Sequence, residues 1–170
     1  SRLASLMASE DANDAFQAFA WNVTNAIILG LLDAGIKPTI LRVRQYVEGG
    51  VAPLLAKVLI AYFNKKKALI PDFDRREREF INRCIKRNPD GSLPAREANG
   101  REILNAHMMM YEMLFKSLDG KEQGVRSEAV EALSNIYNHD ATHYGKMLAN
   151  YTPILAMLTS GALSTLLSTD

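Results

Sequence analysis

The sequence has one cysteine, one tryptophan and almost no net charge, and each scarcity excludes something. A lone Cys84 cannot form an internal disulfide framework and suits a reducing compartment. A formal charge of +1 gives no whole-molecule attraction to nucleic acid or membrane, so any such attraction has to come from local clustering. Clean two-residue alternation of apolar and polar residues is missing, which argues against a sheet. No Gly-x-x-x-x-Gly-Lys-Ser/Thr loop and no dinucleotide fingerprint occurs, so the backbone cradle that nucleotide phosphates need is missing. A nucleophile elbow is absent as well. No basic-then-apolar opening segment is seen, and the chain reads as a piece of something longer.

What is present is ordinary for a globular chain. Of 170 residues, 48% are hydrophobic and 23% charged. That size fits one domain, which can bury roughly two-thirds of its unfolded surface without a staple. The longest uncharged run, Ala15 to Leu32, is long enough for a membrane span. Gln17, Asn22, Thr24 and Asn25 interrupt it, so a buried core helix is expected instead.

The apolar spacing is helical almost throughout, and the fold class it predicts is all-α, a bundle of six to eight helices in a single domain over 1–170. The first helix is expected from about Asp11 to Ala34, capped by Asp11 or Asn13 and stopped by Gly35. Its inward stripe is Phe16, Phe19, Ala20, Val23, Ile27 and Leu31. Thr39 is a plausible N-cap for a short helix through Glu48, ended by Gly49 and Gly50. A third helix follows from Val51 through Phe63, with Pro53 tolerated in its first turn and a broad apolar face. The fourth should run from Asp72 or Asp74 to Arg87. A loop rich in turn residues then extends from Asn88 to Gly100, long enough to suggest a partner contact. The fifth spans about Arg101 to Leu118, ended by Asp119-Gly120. Ser127, with Glu131 nearby, opens a sixth, and a last helix is expected from Asp140 to Leu158 with Pro153 kinking it.

Chemistry-bearing residues are few. His139 and His143 share one helical face and could together hold a zinc or nickel ion, but Cys84 and His107 are the remaining ligand candidates and lie far off in sequence. The expectation is therefore no metal. Cys84 sits among apolar neighbours and reads as a small core residue. Met108, Met109, Met110 and Met113 suggest an adaptable surface, yet consecutive residues point around a helix, so most are expected in the core.

Charge gives the strongest signal outside the core. Between Lys65 and Arg87 lie nine basic residues and only four acids, Asp72, Asp74, Glu77 and Glu79. Lys65, Lys66, Lys67, Arg75, Arg76, Arg83, Lys86 and Arg87 are the candidate nucleic-acid-binding residues. Arg76, Arg83 and Arg87 fall near one helical stripe that could follow a phosphate backbone without reading bases. The competing reading is a solvated helix with local pairs such as Glu79 with Arg83.

The closing segment reads Thr152-Pro-Ile-Leu-Ala-Met-Leu-Thr-Ser-Gly-Ala-Leu-Ser-Thr-Leu-Leu-Ser-Thr-Asp170. It resembles the stretch that closes the all-α domain of TraD-type conjugative coupling proteins, with Ala162 and Thr169 where that family commonly has proline. A second resemblance lies in Phe16-Gln-Ala-Phe-Ala-Trp-Asn-Val-Thr-Asn-Ala-Ile, Pro38-Thr-Ile-Leu and Tyr46-Val-Glu-Gly-Gly-Val-Ala-Pro-Leu. The likeness covers both ends well and the middle loosely. It implies a non-catalytic cargo-recognition domain, inserted in a membrane-anchored, hexameric RecA-like ATPase of a type IV secretion system, plasmid-borne or carried by an integrative conjugative element. The domain would face the cytoplasm and engage the relaxosome: relaxase, accessory proteins and DNA. No cofactor is implied for this segment, since ATP and magnesium would belong to the parent motor. The alternative is a helical protein–protein adaptor without DNA contact.

Overall fold

The computed structural model describes residues 2–117 and 125–139, all helices and connections, with no β-strand among them. Six α-helices follow in order: α1 Arg2–Asp33, α2 Ile40–Gly49, α3 Ala52–Lys66, α4 Phe73–Cys84, α5 Gly100–Ser117 and α6 Glu128–Tyr137. A single 3₁₀ turn, Lys67–Leu69, separates α3 from α4. The all-α expectation holds. The expected breaks at Asp119-Gly120 and Pro153, the helix from Asp140 to Leu158, and the closing segment lie outside the described residues.

Local signals set most of the helix ends. Gly35 takes a left-handed φ of 72°. Its N–H reaches the Leu32 carbonyl and the Ile36 N–H reaches that of Leu31, a paired closure of the last turn of α1. Thr39 caps α2 by accepting from the Arg42 N–H at 3.1 Å. Ser127 does the same for α6 with the Val130 N–H at 3.2 Å. Pro53 sits in the first turn of α3, where no N–H is needed. α1 begins at Arg2, well before Asp11, because Leu3, Ala4, Leu6, Met7 and Ala8 favour helix and Asp11 or Asn13 in the interior costs too little to break it.

Helix α3 is the central element, packed against α1, α5 and α6, while α2 lies on α1 and α4 mainly on α5. Leu54, Leu55, Val58 and Leu59 of α3 are essentially inaccessible, as are Val23, Ile27 and Leu31 of α1 and Leu133 of α6. Gly30 permits the closest approach of α1. A Cβ there would stand 2.7 Å from Leu133 Cδ1 and 3.0 Å from Leu54 Cδ2. The Ala15–Leu32 run thus faces protein along one side. Among the described residues no single helix is long and apolar enough to cross a membrane.

Two tyrosines fasten the connection into α6. The Tyr62 hydroxyl donates to the Val125 carbonyl at 2.6 Å, and the Tyr111 hydroxyl accepts from the Ser127 N–H at 2.9 Å. Their rings meet edge to face at 5.2 Å. Burial, then the neighbouring Tyr111, pushes the Tyr62 phenol up to about 12.

Candidate nucleic-acid interface

Helix α4 carries the densest charge of the chain and buries no residue fully. Its inner face is Phe73, Glu77, Phe80 and Cys84, at helical spacing and half-buried against α5. Glu77 is half-buried and turned towards α5. Its Oε2 meets His107 Nε2 of α5 at 2.9 Å, and the His107 ring, 4% exposed, lies 5.4 Å from that of Phe63. Glu79 pairs with Arg75 at 3.1 Å and not with Arg83, and Arg75 also holds Asp72 at 3.3 Å. The Asp72 hydrogen bond, with the Glu79 charge, raises the Arg75 pKa. Two of the three acids on the helix are therefore occupied, one inward and one by Arg75.

Arg76 and Arg83 lie seven residues apart on the same flank of α4, both exposed and without an ion pair among the described residues. The Arg83 guanidinium rests over the Phe80 ring at 5.1 Å from its centre, a contact that fixes its direction without neutralising it.

The expected three-arginine stripe is shorter than its spacing suggested. α4 stops at Cys84, and Ile85 is extended. The Lys86 N–H, which would have continued the helix to Asn82, goes to Glu102 Oε2 of α5 at 2.9 Å. Pro89 then keeps Asn88 out of the helical region. Lys86 and Arg87 accordingly sit in the loop, off the stripe, and Arg87 donates to the Gly91 carbonyl at 3.0 Å. Lys65 and Lys66 occupy the last turn of α3, where cations suit the helix dipole. They line a cleft of about 310 Å³ with Asp33, Arg126, Ser127 and Glu128, two acids against three cations. Lys67 is exposed in the 3₁₀ turn. The eight candidates thus separate into a pair on α4 without an ion pair among the described residues (Arg76 and Arg83), a spent Arg75, two loop cations, and three lysines near the end of α3.

Glu102 is the residue that spacing arguments overlooked. It binds Arg96 with both oxygens at 2.8 and 2.9 Å and accepts the Asn99 and Lys86 N–H groups, while its own N–H goes to Asn99 Oδ1 at 2.8 Å. The Asn99-x-x-Glu102 exchange is a capping box, with asparagine in the place of serine or threonine. The Arg96 hydrogen bonds, then those from Asn99 and Lys86, hold the Glu102 carboxyl down to about 2. This one side chain ends α4, starts α5 and pins the loop of residues 85–99 between them.

Burial, with the Glu102 charge, pushes the Cys84 thiol up, and its Sγ rests 3.6 Å from Met109 Sδ, which makes a poor nucleophile. The methionines divide: Met110 is buried, Met108 half-buried, and Met109 and Met113 are exposed on one face, so fewer are core than expected. His139 is exposed beside a largely apolar cleft of about 800 Å³, lined by Ala52, Pro53, Ala56, Leu104 and Tyr137 among others, and His143 lies outside the described residues. No group of three His, Cys, Asp or Glu side chains that could hold a metal ion occurs among the described residues.

No family model, no curated protein and no solved structure matches the chain.

Proposed function

We propose that this chain is a non-catalytic recognition domain that docks a protein–DNA cargo, with the Arg76–Arg83 flank of α4 turned to the phosphate backbone. The observation that carries the reading is the state of those two side chains. They are exposed, unpaired among the described residues and about 10 Å apart along the axis. The acids Glu77 and Glu79, which would cancel them, are held by His107 and Arg75. Two such cations favour backbone contact over base reading, hence affinity without sequence preference. The resemblance of the chain ends to the all-α domain of TraD-type coupling proteins supplies the biological setting: cargo from the relaxosome, presented to an attached motor at the cytoplasmic mouth of a secretion channel.

A second reading is a protein-only helical adaptor. The cleft of about 800 Å³ between α3, α5 and α6 favours it, because its lining is mostly apolar and it contains the single cation Arg101.

Fluorescence anisotropy with a labelled random-sequence duplex and a single strand separates the two. Binding at low salt that Arg76→Glu with Arg83→Glu abolishes, and that Arg87→Glu leaves in place, supports DNA docking on α4. Absence of binding to either probe at low salt removes DNA as a direct ligand and leaves the adaptor.

A further inference from the structure

The attachment of α4 differs from that of every other helix described. It buries no residue fully, whereas α2, α3 and α6 each bury several. Its apolar side chains Phe73, Phe80 and Ile81 are only half-buried, and its principal neighbour is α5, with Phe73 also against the Phe63 ring of α3 at 5.7 Å between centres. Among the described residues, side-chain polar attachment of the helix to the rest of the protein comes down to Glu77 on His107 and the weak thiol contact of Cys84 with Met109. Each end is also marked. Ahead of it, Asp72 adopts the left-handed φ of 54°, which no other non-glycine residue among those described takes, directly after Pro71. That conformation is sparsely populated for a residue with a Cβ and stores local strain. Behind it, the Lys86 N–H is clamped by Glu102, itself held by Arg96 and by its own helix start.

We propose that α4 is a flap, opening as one unit away from α5 between a hinge at Pro71–Asp72 and an end stop at Lys86–Glu102, with the Glu77–His107 contact as its latch. Elements with few buried apolar contacts open at lower free energy than the core that supports them. Here the hinge is strained, the latch is one polar contact, and the support beneath, α3 with α5, is tied independently through Tyr62 and Tyr111. Opening uncovers His107 and the flank of Phe63 without disturbing the Leu54, Leu59 and Leu133 core. The flap is a property of the free protein and does not depend on what α4 binds.

Amide hydrogen exchange on the full chain, resolved by residue across a denaturant series, tests it. The amides from Arg76 to Ile85 are expected to share one opening at low denaturant, with those of α1 and α3 exchanging only on global unfolding. The Lys86 amide is expected to follow α5, since its acceptor is there. Glu77→Gln, which weakens the latch to a neutral hydrogen bond, should speed exchange in α4 by about tenfold and leave α3 unchanged. Exchange of α4 that merges with that of α3 throughout the series would overturn the flap, as would a variant that accelerates both helices equally.

Discussion

Arg96 and Glu102 face each other in a two-pronged ion pair, Nη1 to Oε1 at 2.8 Å and Nη2 to Oε2 at 2.9 Å, with the Glu102 side chain 9% exposed. The same carboxylate accepts the Asn99 and Lys86 N–H groups, so one side chain links the end of α4, the loop and the start of α5.

Glu102→Gln is expected to destabilise the fold and to alter its acid response. The folded carboxyl titrates at about 2 against an ordinary value of 4.5, so the unfolded chain binds the proton first as pH falls. The stabilisation is complete above 4.5 and is lost as pH drops towards 2. Urea midpoints measured across that window should converge for wild type and variant at the acid end. A difference that stays constant with pH would count against a charged Glu102 as the hub.

Tyr62→Phe removes the donor to the Val125 carbonyl and strands a buried acceptor, at a cost of about 1–3 kcal/mol by chemical denaturation. In the wild type the folded phenol titrates at about 12 against 10.0 ordinarily. Its contribution is therefore fully present below pH 10 and lost as pH rises towards 12. Absorbance titration of phenolate in wild type and variant checks the assignment.

Gly30→Val places branched carbon where a Cβ alone already stands 2.7 Å from Leu133 Cδ1. Overpacking this α1 contact with α3 and α6 should cost about 2–3 kcal/mol, despite the gain in helix propensity over glycine. Thermal and urea unfolding read the loss; a variant as stable as wild type would mean that the two leucines repack freely.

How far the sequence could be read follows from where each signal is stored. Thr39, Ser127, Gly35 and Pro53 act within a turn of their own position, and each does what its residue type dictates. The inward stripe of α1 was legible for the same reason, through 3.6-residue spacing. The end of α4 was not. The local stop, Pro89, acts no earlier than Asn88; the stop at Cys84 is supplied by Glu102, sixteen residues beyond its bonding partner Lys86, and with it Arg87 leaves the arginine stripe. The pairing of Glu79 with Arg75 instead of Arg83 is a choice between two equally spaced partners, settled by Phe80 holding the Arg83 guanidinium. Contacts such as Tyr62 to Val125 and His107 to Glu77 depend on tertiary packing and have no local trace. The capping box Asn99-x-x-Glu102 did have one, in its spacing.

Removing the charge of the spent Arg75 should matter little for ligand binding. Arg75→Gln breaks two exposed pairs with Asp72 and Glu79, and exposed pairs contribute little because water and salt screen them. A small stability loss with DNA affinity near wild type is expected, by urea denaturation and anisotropy together. A collapse of affinity would instead place Arg75 in the interface.

The most direct measurement is the salt dependence of duplex binding for wild type and for Arg76→Gln with Arg83→Gln. Each phosphate contact contributes about 0.9 to the slope of log affinity against log salt. If both arginines meet phosphates, the variant slope should be shallower by about 1.8, with the fold intact by circular dichroism. An unchanged slope, or no duplex binding by the wild type at low salt, would contradict a DNA-facing α4.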